Sequence, residues 1–347
     1  MKRFGLGALT IAAVLVSALL GPPASAQEQT VRIGQAVPTM SFLPVLAARA
    51  LGTFGEQQLK LEFTQIRGGD PAALAALDSG DIDFAAVGSD TALAAIAKGQ
   101  PFELIYSLMS QVTLELVVSN DLLKRTGVGV TDPLQRRINA MKDATIGVSA
   151  VGGAQDRGVR WLIAQGGLDK QKDIKVALIG PPPAISAALD HGQIDGFVLS
   201  PPQGKLTEQS GTGKVFIRVW KEFPQLKNMP FLVLVAKMPM DDSRKRMAVK
   251  TARALQAASR SVLENGNHAA AEIQRQFYPA LTTDVVLSAI DDMSSGIRDN
   301  GRMTPAAMVE LVKFTTESGG NLSKPLDPRP GPQAFWTNDT VDSALGR

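Results

Sequence analysis

Short apolar runs alternate with longer amphipathic segments along most of the chain. The runs VRIGQAV, LEFTQI and IDFAAVG in the first half have the length of buried strands, and the Ala/Leu-rich segments near them have the length and spacing of helices. The last third changes character, because helical patterns beginning near Asp242, His268, Thr282 and Thr304 follow one another with no strand between them. Alternating strands and helices predict an α/β protein with parallel sheets.

One strand–helix–strand unit occurs twice. Residues 68–89, GGDPAALAALDSGDIDFAAVGS, and residues 180–201, GPPPAISAALDHGQIDGFVLSP, align without a gap at a spacing of 112 residues. The pairs identical across this spacing are Pro71 and Pro183, Leu77 and Leu189, Asp78 and Asp190, Gly80 and Gly192, Ile82 and Ile194, and Asp83 and Asp195. In each unit a proline marks the first helical turn and a glycine follows the last. The repeat predicts two similar α/β lobes; a chance match between two Ala-rich helices is the alternative.

The order of the strand-like runs predicts how the lobes are connected. Runs assigned to the first lobe lie on both sides of the second repeat, at residues 102–108 and 231–236. We therefore assign residues 27–112 and 229–347 to lobe 1 and residues 113–228 to lobe 2. Two crossings, near Gln111 and Met229, would form a hinge about which a cleft could close.

Residues at the carboxyl ends of the predicted strands are the candidates for ligand contact, because open α/β sheets bind ligands there. The candidate residues are Thr39, Met40, Ser41, Phe42, Gly68, Gly69, Asp70, Gly88, Ser89, Asp90, Gln111, Gly152, Gly153, Ala154 and Ser200. Many of these residues are small or hydroxylated and precede helices, whose N-termini present free amides to an anion. Each one alone could simply cap a helix or turn the chain. Arg67 and Arg157 flank the same loops and could pair with a carboxylate or sulfonate, or lie at the surface.

The N-terminus and the composition narrow the class of protein. Lys2-Arg3, an apolar run from Phe4 to Leu20 and the small residues Ala24-Ser25-Ala26 predict a secretory signal over residues 1–26, cleaved after Ala26. Removing it lowers the formal net charge from +3 to +1, and the remaining Lys and Arg are scattered, so nucleic acid is not expected as a partner.

Signatures of catalysis are scarce. The chain has no cysteine, which excludes thiol nucleophiles and disulfides, and its two histidines fall at predicted helix ends. No phosphate loop, nucleophile elbow or metal-ligand spacing is present. We expect a protein that is not an enzyme and that holds no cofactor or metal.

Two segments resemble a known family. RGGDPAALAALDSGDIDFAAVGSDTALAAIAKGQP and TIGVSAVGGAQDRGVRWLIAQGGLD with AISAALDHGQIDGFVLSPP are similar to the two lobes of periplasmic substrate-binding proteins of ABC importers of the nitrate/sulfonate/taurine type. These are related to the thiamine-pyrimidine-precursor binding proteins. The resemblance covers most of the mature chain and implies the two-lobed type II periplasmic binding protein fold. It places ligand contacts at Ser41 and its neighbours, Gly68-Gly69, Gly88-Ser89, Gly153-Ala154 and Ser200.

The resemblance also implies partners. They are a small, anionic organic solute, and an inner-membrane permease with its ATPase that receives this solute from a monomeric protein in the periplasm. Two alternatives stay open: a protein that binds or synthesises a thiamine-type pyrimidine, and a ligand-loaded partner of a membrane sensor. Relatives that synthesise the pyrimidine use a cysteine cluster, which this chain lacks.

Overall fold

The structure, a computed structural model, describes residues 28–36, 39–320, 322–331 and 334–347. The signal predicted over residues 1–26 lies outside this part of the chain. Within it, no helix combines the length and the apolar character that crossing a membrane requires.

Ten strands in the described residues form two five-stranded sheets. The strands are β1 Gln29–Gln35, β2 Leu59–Gln65, β3 Phe84–Gly88, β4 Phe102–Met109, β5 Glu115–Ser119, β6 Thr145–Val148, β7 Lys175–Leu178, β8 Gly196–Leu199, β9 Gly213–Arg218 and β10 Leu232–Lys237. The first sheet has the order β2-β1-β3-β10-β4 and the second the order β7-β6-β8-β5-β9. In both sheets the first three strands are parallel and the last two antiparallel to their neighbours. The predicted α/β class with two similar halves is confirmed.

Helices cover both sheets. They are α1 Leu43–Leu51, α2 Thr53–Glu56, α3 Gly69–Ser79, α4 Ser89–Ala97, α5 Asn120–Thr126, α6 Leu134–Asn139, α7 Ala154–Gln165, α8 Pro182–Asp190, α9 Gln203–Ser210, α10 Val219–Glu222, α11 Asp242–Glu264, α12 Gly266–Phe277, α13 Thr283–Met293, α14 Pro305–Glu317 and α15 Asp339–Ala344. Short 3₁₀ turns occupy Met40–Phe42, Pro224–Leu226 and Ser294–Ile297. The run predicted to continue the first strand to Val37 ends as a strand at Gln35.

The repeated aspartates hold each unit to its own sheet in the same way. The Asp83 amide donates to the Arg32 carbonyl at 2.8 Å, and its carboxylate accepts from the Arg32 amide at 2.9 Å. In the second sheet, Asp195 makes the same two bonds to Thr145, both at 2.8 Å. The carboxylate therefore satisfies a backbone amide of the adjacent strand at the point where β3 or β8 begins.

A glycine in each sheet, Gly34 in β1 and Gly147 in β6, makes room for the repeated isoleucines Ile82 and Ile194. A Cβ atom at Gly34 would lie 2.6 Å from Ile82 Cδ1, and one at Gly147 would lie 2.7 Å from Ile194 Cδ1. Both distances are shorter than van der Waals contact allows, so the isoleucine and the glycine form one packing unit in each half. The same packing unit and the same strand order in both sheets argue against a chance match between two Ala-rich helices.

Two segments carry the chain between the sheets, residues 110–114 from β4 to β5 and residues 219–231 from β9 to β10. The C-terminal helices extend the first half: α11 packs on α1 and α15, and α14 packs on α4. Helix α14 also reaches the second half, where the Trp161 ring on α7 lies 5.3 Å from Phe314 and its Nε1 donates to Glu317 at 3.0 Å. The two halves therefore meet along α7 and α14 as well as at the crossings.

Candidate ligand-binding cleft

A small cavity of about 30 Å³ lies where loops of the two sheets face each other. Seven of the fifteen candidates from the sequence line it: Thr39, Ser41, Phe42, Asp70, Gly153, Ala154 and Ser200. The repeat therefore brings residues about 110 positions apart to one point. A space of this size holds about one water molecule, so an organic solute requires the two halves to separate before it can enter.

Hydroxyl groups dominate the polar lining. The Thr39 and Ser41 hydroxyls bond to each other at the start of the 3₁₀ turn Met40–Phe42. On the other side the Ser200 and Thr113 hydroxyls are 2.8 Å apart. A hydroxyl rotates to donate or accept, so both pairs can turn toward a ligand at low cost.

Two of the remaining candidates, Gly69 and Gly88, lie where the halves approach most closely. A Cβ atom at Gly69 would be 3.1 Å from the Ala150 Cβ, and one at Gly88 would be 3.3 Å from the Ala154 Cβ. These glycines permit the contact between the two sides, although neither lines the cavity. Gly68 lies next to Gly69 as the residue before α3 and has a φ of +102°.

The other candidates outside the cavity make contacts of their own. The Ser89 hydroxyl does not cap its helix but donates to the Phe231 carbonyl at 3.2 Å, tying α4 to the second crossing. The Gln111 amide donates to the Asp292 carbonyl at 2.8 Å, and Met40 is buried in the core. Gly152 accepts from the Arg157 guanidinium at 3.2 Å.

Asp70 is the ionisable group in the cavity wall. Its side chain accepts from the Gly88 amide at 3.1 Å, and the residue is only 4% exposed. Burial raises the pKa of Asp70 to about 7, and the Gly88 bond opposes this rise only in part. Near neutral pH this carboxyl can therefore either donate or accept a hydrogen bond inside the cleft.

Asp90 and Arg157 form an ion pair across the two halves. Asp90 begins α4, is 2% exposed, and has its Oδ2 atom 3.0 Å from the Arg157 Nε on α7. This contact does not have hydrogen-bond geometry. Burial raises the pKa of Asp90, and the arginine acts against this rise. Arg157, one of the two arginines that could have paired with a ligand, thus pairs with Asp90 instead. The other, Arg67, is exposed.

Sequence reasoning missed the apolar part of the wall. Leu114, Ala150, Phe231 and Leu232 line the cavity, together with Gln155, whose side chain accepts from the Ser149 amide at 3.2 Å. Two of these residues, Leu114 and Phe231, belong to the crossings, so a closer reading of the segments near Gln111 and Met229 could have found them. Among the described residues the lining contains no Lys or Arg, and an anion in this cavity would face backbone amides at the start of α7, hydroxyls and the Asp70 carboxyl.

Comparison with models of known protein families identifies the family of this chain. The model of the NMT1-like family matches residues 24–274, which include both repeats. The chain belongs to the NMT1-like family. This match confirms the resemblance seen in the repeated segments, and no match was found among curated proteins.

Solved structures similar to this NMT1-like chain share its two-lobed fold. A protein from Bordetella bronchiseptica RB50 is 23% identical, with a TM-score of 0.76 over 92% of this chain and 98% of its own. The periplasmic aliphatic sulphonate binding protein SsuA from Escherichia coli is 15% identical, with a TM-score of 0.63 over 83% and 86%. The periplasmic nitrate-binding protein NrtA from Synechocystis PCC 6803 is also 15% identical, with a TM-score of 0.65 over 92% and 85%. The expected periplasmic binding protein fold is confirmed.

Proposed function

We propose that this NMT1-like chain is the solute-binding component of an ABC importer and captures a small, anionic organic solute in the cleft between its halves. The observation that carries the proposal is the cavity walled by both halves of the molecule, with Thr39, Ser41 and Asp70 on one side and Gly153, Ala154 and Ser200 on the other. Binding between two similar lobes fits a carrier, which must enclose its ligand and release it again.

The proposed lobes follow the path of the chain. Residues 27–112 and 229–347 form lobe 1, residues 113–228 form lobe 2, and seven of the fifteen candidate residues line the cavity between them. Closure takes place about the crossings at residues 110–114 and 219–231. The change of sheet at both crossings supports this division.

The proposed location and partners follow from the N-terminal pattern and from the similar structures. The chain is exported with cleavage after Ala26, acts as a monomer in the periplasm, and delivers its solute to a permease and ATPase of the inner membrane. It performs no catalysis of its own. The sulphonate-binding and nitrate-binding proteins among the similar structures support an oxyanion-bearing solute.

The identity of the solute is tested by native mass spectrometry of protein purified without dialysis, followed by thermal-shift titration. The titration uses nitrate, alkanesulfonates, carboxylates and pyrimidines. A ligand at 100 times its dissociation constant should raise the free energy of unfolding by about 2.7 kcal/mol. The Ala154→Leu variant fills the cavity and should abolish this stabilisation, whereas Ala187→Leu on the exposed side of α8 should preserve it.

The proposal fails if no bound mass is found and no solute raises the melting temperature. A covalently processed pyrimidine in the bound fraction would instead favour the synthesis alternative. Small-angle scattering with and without the ligand then checks for closure, since a carrier should become more compact.

A further inference from the structure

A second, larger pocket lies beside the cleft, entirely within the first half of the molecule. Its volume is about 320 Å³, and it lies between α1, the end of β2 and the end of α12. Pockets that hold small organic molecules begin at about this size. It shares Thr39 and Phe42 with the cleft cavity, so the 3₁₀ turn Met40–Phe42 separates the two spaces.

Arg49 supplies the positive charge of this pocket. Its guanidinium lies 3.8 Å from the centre of the Phe63 ring and 4.5 Å from that of Phe277. Within the described residues, no carboxylate forms an ion pair with it, in contrast to Arg157 and most other half-buried arginines. Burial lowers the pKa of Arg49, as expected for a cation that has lost part of its water without gaining an anion.

The remaining wall is apolar or neutral. Phe42 and Leu46 are buried on one side, and Tyr278 contributes a hydroxyl near Arg49. Burial raises the pKa of Tyr278 to about 12, so this hydroxyl remains a hydrogen-bond donor at physiological pH. In the part of the chain that the structure describes, the lining contains no Asp or Glu that could neutralise the arginine.

We propose that this pocket is a binding site for an organic anion with a flat apolar body, of the aromatic carboxylate or sulfonate class. The acid group binds the Arg49 guanidinium and the Tyr278 hydroxyl, and the ring packs on Phe42 and Leu46. Guanidinium and carboxylate match in geometry and charge, and the aromatic walls exclude water from the pair. The site goes beyond the proposed function because all its residues lie on one side of the cleft.

The site is tested by isothermal titration of the purified protein with benzoate and benzenesulfonate, and with benzamide as a neutral isostere. Both acids should bind, and benzamide should bind at least tenfold more weakly, since hydrogen bonds to an ionised group are about twice as strong as those between neutral groups. Arg49→Gln should weaken the acids by a similar factor. Arg67→Gln, an exposed arginine two residues beyond the end of β2, is the matched control and should change the affinity less than twofold.

Other outcomes separate this site from the cleft. If Ala154→Leu abolishes benzoate binding while Arg49→Gln leaves it unchanged, the acid binds in the cleft, and the inference is overturned while the proposed function stands. Equal affinities for benzoate and benzamide, or no binding of either acid, would overturn it as well. If Arg49→Gln lowers the melting temperature strongly, two other measurements decide whether the acids bind in this pocket. They are the affinity of Tyr278→Phe for the acids, which should be reduced, and the comparison of benzamide with the acids in the natural protein.

Discussion

The two halves of the molecule share one scaffold and differ at their facing edges. Both keep the glycine–isoleucine packing unit and the aspartate that bonds a backbone amide of the adjacent strand, with nearly identical distances. At the edge, however, Asp70 and Asp90 of the first half correspond at the 112-residue spacing to Pro182 and Pro202 of the second. The comparison shows which residues serve the fold and which serve the cleft: those that hold the strand–helix–strand unit recur, and those that face the other half do not.

The difference makes the cleft electrostatically asymmetric. The first half contributes two buried carboxyls, and the second contributes amides at the start of α7, the Ser200 hydroxyl and the Arg157 guanidinium that pairs with Asp90. The ionisable group of the cavity wall, Asp70, therefore belongs to the first half.

Removing the ion pair between the halves, Arg157 with Asp90, should give the largest loss of stability. Arg157→Met leaves the Asp90 carboxylate buried without a cation, and we expect a loss of about 3 kcal/mol in the free energy of unfolding together with a larger radius of gyration. Arg160→Met is the matched control, since Arg160 pairs with Asp156 on the same helix at 2.7 Å. It should lower stability without changing the radius. Denaturant unfolding and small-angle scattering measure the two quantities, and equal radii for both variants would contradict a role between the halves.

Asp70 should give an effect of intermediate size that depends on pH. Its pKa is about 7 in the folded protein and near 3.8 in the unfolded chain, so between these values the folded state binds more protons and stability falls as pH rises. Asp70→Asn removes this dependence. The stability of this variant relative to the natural protein should rise by about 2.6 kcal/mol from pH 5 to pH 8, because the natural protein binds one proton more when folded than when unfolded over about two pH units of this range, and one pKa unit corresponds to about 1.4 kcal/mol.

The measurement is the melting temperature of both proteins across that range. Asp90 and Arg157 also face this carboxyl and remain in the variant, so some pH dependence persists in both proteins. A constant difference between them from pH 5 to pH 8 would show that Asp70 is ionised throughout.

The smallest expected effect is the difference in stability between variants of the two repeated aspartates, Asp83 and Asp195. Asp83 also accepts from the Arg32 guanidinium at 2.7 Å and its side chain is 8% exposed, whereas that of Asp195 is 22% exposed and pairs with Arg125. Asp83→Ala should therefore cost about 2 kcal/mol and Asp195→Ala about 1 kcal/mol, since hydrogen bonds to charged groups weaken with exposure. Urea unfolding of the two variants checks the order. The reverse order would mean that the second half depends more on this bond.

The strand–helix–strand units and the helices after Asp242 could be predicted because their signals are local. Apolar runs, the proline at the helix start and the glycine after the helix end lie within about twenty residues of each other. The seven candidates in the cavity wall could be predicted for the same reason, since they end strands that the pattern identifies. The contacts of Ser89 with Phe231, of Gln111 with Asp292 and of α14 with α7 could not, because their partners are more than a hundred residues away and no local pattern marks them.

The sequence by itself determined that the chain repeats an α/β unit and which residues end its strands, because periodicity and turn chemistry act between near neighbours. Only the tertiary structure decided that Arg157 pairs with Asp90, that Asp70 is buried enough to raise its pKa, and that Arg49 faces an open pocket without a carboxylate. Charge pairing and desolvation depend on distances through space, and those distances are set only when each half folds and the two halves pack together.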